Sequence, residues 1–142
     1  MMRQFHTETQ ATGDEGLMIV KPLVEKVLDQ SLRITNNFFD TMDLEGTDCY
    51  VEIKTRTEKY HWEDEKIERE GWLIPACKIE RAQKEQKKCI FYYYWRSDKS
   101  LWELEYCPEL FQDLIPVIPP WHKDQQRHYY VPRERWTLIE FY

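Results

Sequence analysis

Asp43, Glu52 and Lys54 are the residues whose types and spacing can do chemistry together. The run Tyr50-Val51-Glu52-Ile53-Lys54-Thr55-Arg56 alternates strictly, with Val51 and Ile53 on one face and Tyr50, Glu52, Lys54 and Arg56 on the other. That pattern predicts a half-buried strand whose second face is charged. Phe38 to Leu44 reads as the preceding strand, and Glu45-Gly46-Thr47-Asp48 as the hairpin turn between them. In an antiparallel pair the numbers of opposed residues sum to a constant. With Leu44 facing Cys49, Asp43 faces Tyr50 and shares a side of the sheet with Glu52 and Lys54. Asp40 has the opposite parity and reaches that side only through a bulge. Two carboxylates aimed at one point repel unless a divalent cation neutralises them. A hard cation such as Mg²⁺ takes oxygen ligands, activates water and stabilises charge on a phosphate. Lys54 could orient or deprotonate that water, or neutralise the developing phosphorane. On spacing alone a second reading stays open: a solvated charge ladder on an exposed strand face.

The elements around this hairpin follow from periodicity. Asp14-Glu15 precede a helical stripe of Leu17, Val20, Leu23, Val24, Val27 and Leu28. Asp14 suits the cap, and Pro22 predicts a kink or a later start. Residues 57–71 are charge-rich and read as a solvated loop or short helix. Trp72-Leu73-Ile74-Pro75 is apolar, Cys77 to Lys88 looks helical with Ile79 and Ala82 inward, and Cys89 to Trp95 is an aromatic strand returned by Leu101 to Tyr106. Pro108 to Phe111 begin a short helix. The last thirty residues, broken by Pro116, Pro119, Pro120 and Pro132, read as irregular. The expected fold is α/β (α+β), a single domain over 1–142 with a central mixed sheet flanked by helices.

Composition narrows the classes. The 142 residues are 42% hydrophobic, enough for a packed core, so wholesale disorder is excluded. The net charge of −6 argues against a protein that coats DNA nonspecifically, because phosphate neutralisation drives such binding. The first residues lack a signal peptide's apolar run and no stretch suits a membrane span, so a cytoplasmic, membrane-free protein is expected. Cys49, Cys77, Cys89 and Cys107 are widely spaced without a CxxC, which reads as reduced thiols rather than a zinc site.

Asp43, a glycine turn and then Val51-Glu52-Ile53-Lys54-Thr55-Arg56 resemble the core motif of the PD-(D/E)XK nuclease superfamily, which includes Holliday-junction resolvases, phage exonucleases and many restriction enzymes. The resemblance spans roughly residues 14–106, a nuclease-like core, and leaves 107–142 as an extension. It implies a restriction-endonuclease-like αβββαβ core and a Mg²⁺- or Mn²⁺-dependent deoxyribonuclease, with DNA as partner and a possible homodimer. It places Glu52 and Lys54 on the Glu-X-Lys positions, and Asp43 on the first acid, with Asp40 as rival. The Ile53 carbonyl joins Asp43 and Glu52 as a metal ligand. Met42 stands where the family usually has proline. The further helix acid is Glu15 rather than Glu25, on the reasoning that Glu15 shares a face with the core-facing Ile19 and Leu23 while Glu25 shares one with Lys21 and Asp29. Glu15 is equally suited to a first-turn dipole partner.

Arg56, Lys59 and Lys78 are candidate DNA contacts, with a plain solubilising role as the alternative. The resemblance also places a Lys or Gln of the helix after the hairpin near the metal site, which makes Lys78 and Gln83 candidates there, with a surface position as the alternative and the reading preferred for Gln83. Tyr92 to Trp95 could stack bases, though strand aromatics more often fill a core. Trp121, His122, Arg127, His128, Arg133 and Arg135 suit a DNA-contacting arm, a tail packed across the sheet, or an interface. Two competing functions follow. One is a PD-(D/E)XK-fold binding or assembly module without catalysis. The other is a small α/β interaction domain using an apolar patch on Trp121, Tyr129, Tyr130 and Trp136.

Overall fold

The computed structural model describes residues 17–35, 43–56, 73–84, 87–96, 99–118 and 126–139. Helix α1 covers 17–28. Two short strands follow, β1 (Arg33–Ile34) and β2 (Leu44–Glu45), and then the long β3 (Cys49–Arg56). Strand β4 (Leu73–Pro75) runs directly into helix α2 (Ala76–Lys84). Strands β5 (Lys88–Trp95) and β6 (Ser100–Glu105) form a hairpin, followed by helix α3 (Pro108–Phe111), β7 (His128–Tyr130), a 3-10 turn at Arg133–Arg135 and β8 (Thr137–Ile139). The fold is α+β, with a mixed six-stranded sheet in the order β1-β2-β3-β5-β6-β8 and a separate β4-β7 ribbon.

The sheet separates two cores. On one side Val20 and Val24 of α1, both fully buried, pack with Leu44, Val51, Ile90, Tyr92, Tyr94 and Leu101. On the other, Ile79 and Ala82 of α2 pack with Cys89, Phe91, Tyr93, Trp95 and Leu104, joined by Ile74, Val131 and Trp136. Strand β5 is buried on both faces, which explains its run of Cys89 to Trp95 without a charged side chain. The four aromatic side chains Tyr92 to Trp95 are therefore core, and the base-stacking reading of them falls. Tyr92 donates to Glu103 Oε2 at 2.5 Å and the Tyr93 hydroxyl donates to the Leu73 carbonyl, so buried phenols keep partners.

Several expectations need correcting. Leu44 pairs with Val51 rather than Cys49, because Gly46 N donates to Cys49 O at 2.8 Å and closes the loop over residues 46–49. The shift is two residues, so every side chain keeps its face. A Cβ at Gly46 would collide with Gln30 Oε1 and stand 3.0 Å from Leu32 Cδ2. That close approach ties the hairpin to the end of α1, where Gln30 also accepts from Thr47 N (3.2 Å) and donates to Asp48 Oδ1 (3.0 Å). Helix α1 continues through Pro22, whose missing N–H leaves the Met18 carbonyl on an exposed face where water can meet it. The helix expected over 77–88 is shorter, since Lys88 already pairs with Cys49 in the sheet. Phe38 to Met42 and residues 57–71 lie outside the described residues.

The described part of the C-terminal segment carries two short strands that the prolines did not suggest. Strand β7 pairs with β4, and β8 pairs with β6 as the outer strand of the main sheet. Proline restricts where these strands begin, but long-range pairing supplies their hydrogen bonds. Trp136 is 5% exposed, donates to the Val131 carbonyl at 3.2 Å and meets the Tyr93 ring edge-on at 5.1 Å. The Cys49, Cys77, Cys89 and Cys107 thiols are free. Among the described residues no helix is long and apolar enough to cross a membrane. Because Trp136 belongs to the core, Trp136→Ala should destabilise the whole fold by about 3–5 kcal/mol. A single urea transition at an unchanged midpoint would contradict that.

Candidate active site

The acidic pair is built by the β2–β3 hairpin. Extending the register of Leu44 with Val51 by one step sets Asp43 opposite Glu52. The exchange at Gly46 and Cys49 makes this a non-hydrogen-bonded position, where opposed side chains come closest. Asp43 is held from both sides. Its carbonyl accepts from Thr35 N at 3.0 Å and from the Thr35 hydroxyl at 3.1 Å, and its Oδ2 accepts from Ile53 N at 2.9 Å. In a strand the N–H and C=O of one residue point the same way, so the Ile53 carbonyl also faces the Asp43 side.

Glu52 is 7% exposed, an unusual setting for a carboxylate. Lys78 of α2 answers it, with Nζ 3.2 Å from Oε2. Lys54, two residues along β3 on the same face, shares with Glu52 a narrow cleft of about 10 Å³ walled by Leu73, Ile74, Tyr93 and Trp136. Burial and then the neighbouring Asp43 charge push the Glu52 carboxyl up to about 7, against the pull of Lys78 and Lys54. Burial also raises Asp43, opposed by the Ile53 N–H and by the two lysines. Two lysines beside the pair thus leave both acids short of full compensation. The donor set fits a hard divalent cation: two opposed carboxylates and a carbonyl on the same side, in a site that gains from added positive charge. Among the described residues no group of three or more His, Cys, Asp or Glu gathers.

The structure brings Asp43, Glu52, Ile53, Lys54 and Lys78 together. Arg56 ends β3 opposite Trp95 in the register. Glu15, Asp40 and Lys59 lie outside the described residues, as do Trp121 and His122. The reasoning that favoured Glu15 has to be corrected, because Ile19 is 41% exposed rather than core-facing. Glu25 is not a free surface acid either. Its Oε2 accepts from Leu32 N at 2.8 Å and from Lys21 Nζ at 3.3 Å, tying the chain after the helix back onto it. Asp29, with φ 52°, makes that turn.

Gln83 is exposed on α2. In the C-terminal segment, His128 is buried with Nδ1 2.9 Å from the Gln126 carbonyl, and Arg135 donates to the Leu110 carbonyl at 2.5 Å and pairs with Asp113 at 2.6 Å. These two are packed against the protein, which removes them from a DNA-contacting arm. With Trp136 buried and Tyr129 and Tyr130 half-buried in the core, the exposed aromatic patch is absent among the described residues. The Lys78–Glu52 ion pair brings the helix lysine expected near the site beside the acids. Its signal was the position of Lys78 next to the inward Ile79, on the helix that must cross over the sheet between β3 and β5.

No protein-family model matches the chain, and no curated protein matches it significantly.

The raised Glu52 carboxyl makes stability depend on pH. The folded state binds this proton more tightly than the unfolded chain, whose value lies near the ordinary 4.5. The contribution is therefore complete below about pH 4.5 and lost as pH rises through about 7. Relative to Glu52→Gln, the wild type should lose on the order of 3 kcal/mol across that window and then level off. Urea unfolding of both proteins from pH 4 to 8.5 measures it (roughly the range over which the carboxyl titrates), and parallel curves would refute the coupling.

Proposed function

We propose that the chain is a divalent-metal-dependent deoxyribonuclease of the PD-(D/E)XK type, hydrolysing DNA phosphodiester bonds on a restriction-endonuclease-like core. The observation that carries this reading is the placement of Asp43 directly opposite Glu52 with Lys54 on the same strand face. The order of elements supports it: a helix, a hairpin carrying the acids, a crossover helix and a further strand pair.

Asp43 and Glu52, with the Ile53 carbonyl, would hold the cation. When bound, a divalent ion supplies positive charge that stabilises a pentavalent phosphate and makes water a better nucleophile. The chain's own groups do the rest. Lys54, lining the cleft with Glu52, orients the attacking water and balances charge that develops on the phosphoryl oxygens. Lys78 keeps Glu52 in place and offers a second ammonium to the scissile phosphate. The apolar wall of Leu73, Ile74 and Trp136 excludes bulk water from one side, which strengthens these electrostatic contacts.

A second reading is a catalytically silent or partner-dependent module on the same fold. The burial of Glu52, its existing ion pair with Lys78 and the net charge of −6 favour it. One experiment separates the two. Wild type, Asp43→Ala, Glu52→Ala, Glu52→Gln and Lys54→Ala are checked for folding by circular dichroism. They are then titrated with Mn²⁺ by calorimetry and incubated with linear, single-stranded and branched DNA in Mg²⁺ or Mn²⁺. The nuclease reading expects cation binding lost in the Glu52 variants, cleavage lost with either acid, and turnover down by about 10²–10⁴-fold in Lys54→Ala. Undiminished cleavage by a folded Glu52→Ala protein would sink it. Cation binding by the wild type with no cleavage of any substrate would select the second reading.

A further inference from the structure

The acidic pair continues into a row of cations on the same face of the sheet. Helix α2 runs against the direction of β3. Lys78 meets Glu52, and Arg81, one turn further on, meets Tyr50, two residues back along the strand. The Arg81 guanidinium lies 4.7 Å from the centre of the Tyr50 ring, and Lys87 Nζ lies 4.9 Å from the same centre. Cations held against an aromatic face keep a defined position without surrendering their charge. Lys87 also reaches Glu45 Oε2 at 3.1 Å and the Gly46 carbonyl at 3.3 Å, while Arg33 pairs with the other oxygen of Glu45. Two cations thus share one carboxylate. They stand on an open polar cleft of about 390 Å³, bounded also by Ser31 and Thr47.

We infer that this row, Arg81 and Lys87 about Tyr50 with Arg33 beyond them, is a track for the phosphodiester backbone of a DNA strand entering the Asp43–Glu52 site. The inference rests on the nuclease reading for its direction, and its binding prediction stands apart from catalysis. The ligand class follows from the geometry of charge. A single small anion needs cations converging on one point, whereas Arg81, Lys87 and Arg33 follow the paired residues Tyr50, Glu45 and Arg33 across β3, β2 and β1, a line of sites as a repeating polyanion requires. The chain's net charge of −6 gives no bulk attraction for DNA, so affinity has to come from a local row such as this one. Arg81 and Lys87 position the strand; they do not reach the reacting atoms.

The test uses the full chain in EDTA, with fluorescein-labelled single-stranded and duplex oligonucleotides followed by anisotropy across a salt series. Arg81→Gln/Lys87→Gln is compared with wild type, with the charge-preserving Arg81→Lys/Lys87→Arg, and with Lys26→Gln, an exposed cation on α1 across the sheet. Each lost phosphate contact lowers the slope of log K against log salt by about 0.7–0.9. The double Gln variant should therefore lose roughly 1.5 in slope and bind about tenfold more weakly at low salt. The Lys/Arg exchange should keep most of the slope, and Lys26→Gln all of it. An unchanged slope in the double Gln variant, an equal loss in Lys26→Gln, or no binding by wild type overturns the track. If wild type cleaves DNA in Mg²⁺ while the double Gln variant keeps its KM and slope, the track fails and the nuclease reading survives. If the slope falls as expected but no DNA is cleaved, the track survives and the nuclease reading fails.

Discussion

The parallel pairing of β3 with β5 is the constraint on which the rest of the molecule depends. Eight consecutive residues, Cys49 to Arg56, run alongside Lys88 to Trp95 in one register. Parallel neighbours cannot be joined by a tight turn, so the chain must cross over, and α2 lies on that crossover. The helix covers one face of β3 and so brings a lysine to a carboxylate 26 residues away. Because α2 lies over its second face, that face of β3 does not stay fully solvated. Glu52 is buried by the crossover itself, and its raised carboxyl pKa is the electrostatic consequence.

The same geometry explains why the two sheet faces differ in chemistry. The face under α1 is apolar from Val20 through Leu44 and Val51 to Leu101, and takes no charged group of β3, only the buried Cys49 thiol beside Val51 and Ile53. The face under α2 mixes a packed aromatic core around Tyr93, Trp95 and Trp136 with the charged end of β3. Asp43 and Glu52 sit at the boundary between these regions. They are buried enough to feel each other, yet are backed by backbone N–H groups and lysines that keep the fold tolerant of them. A hairpin that opposes two acids at its closest pairing position destabilises itself unless something compensates. In the structure as described, Lys78, Lys54 and the Ile53 N–H supply part of that compensation.

Locally encoded features were legible in the sequence. The alternation of Tyr50 to Arg56 identified β3 and its charged face, the three-and-four spacing from Leu17 to Leu28 identified α1, and the aromatic run from Cys89 identified β5. The choice of Asp43 as the acid sharing a face with Glu52 and Lys54 survived a register two residues away from the one expected, because strand side chains repeat every second residue. A one-residue error would have pointed Asp43 into the other core. Helix phase is less forgiving. Ile19 was assigned inward and is exposed, because a turn of 3.6 residues turns a single-position error through about 100°.

The sequence by itself determined which segments alternate, which carry helical stripes, and that two acids and a lysine fall on one side of one hairpin. Those properties depend on neighbours within about ten residues along the chain and on the periods of strand and helix. Tertiary structure alone decided that β3 and β5 are parallel, that Lys78 reaches Glu52, that Glu25 ties the chain after α1 back onto its helix, and that the proline-rich end closes the sheet as β8. Each joins residues whose separation along the chain carries no periodic signal. What selects them is the burial of apolar surface and the pairing of polar groups that this burial would otherwise strand.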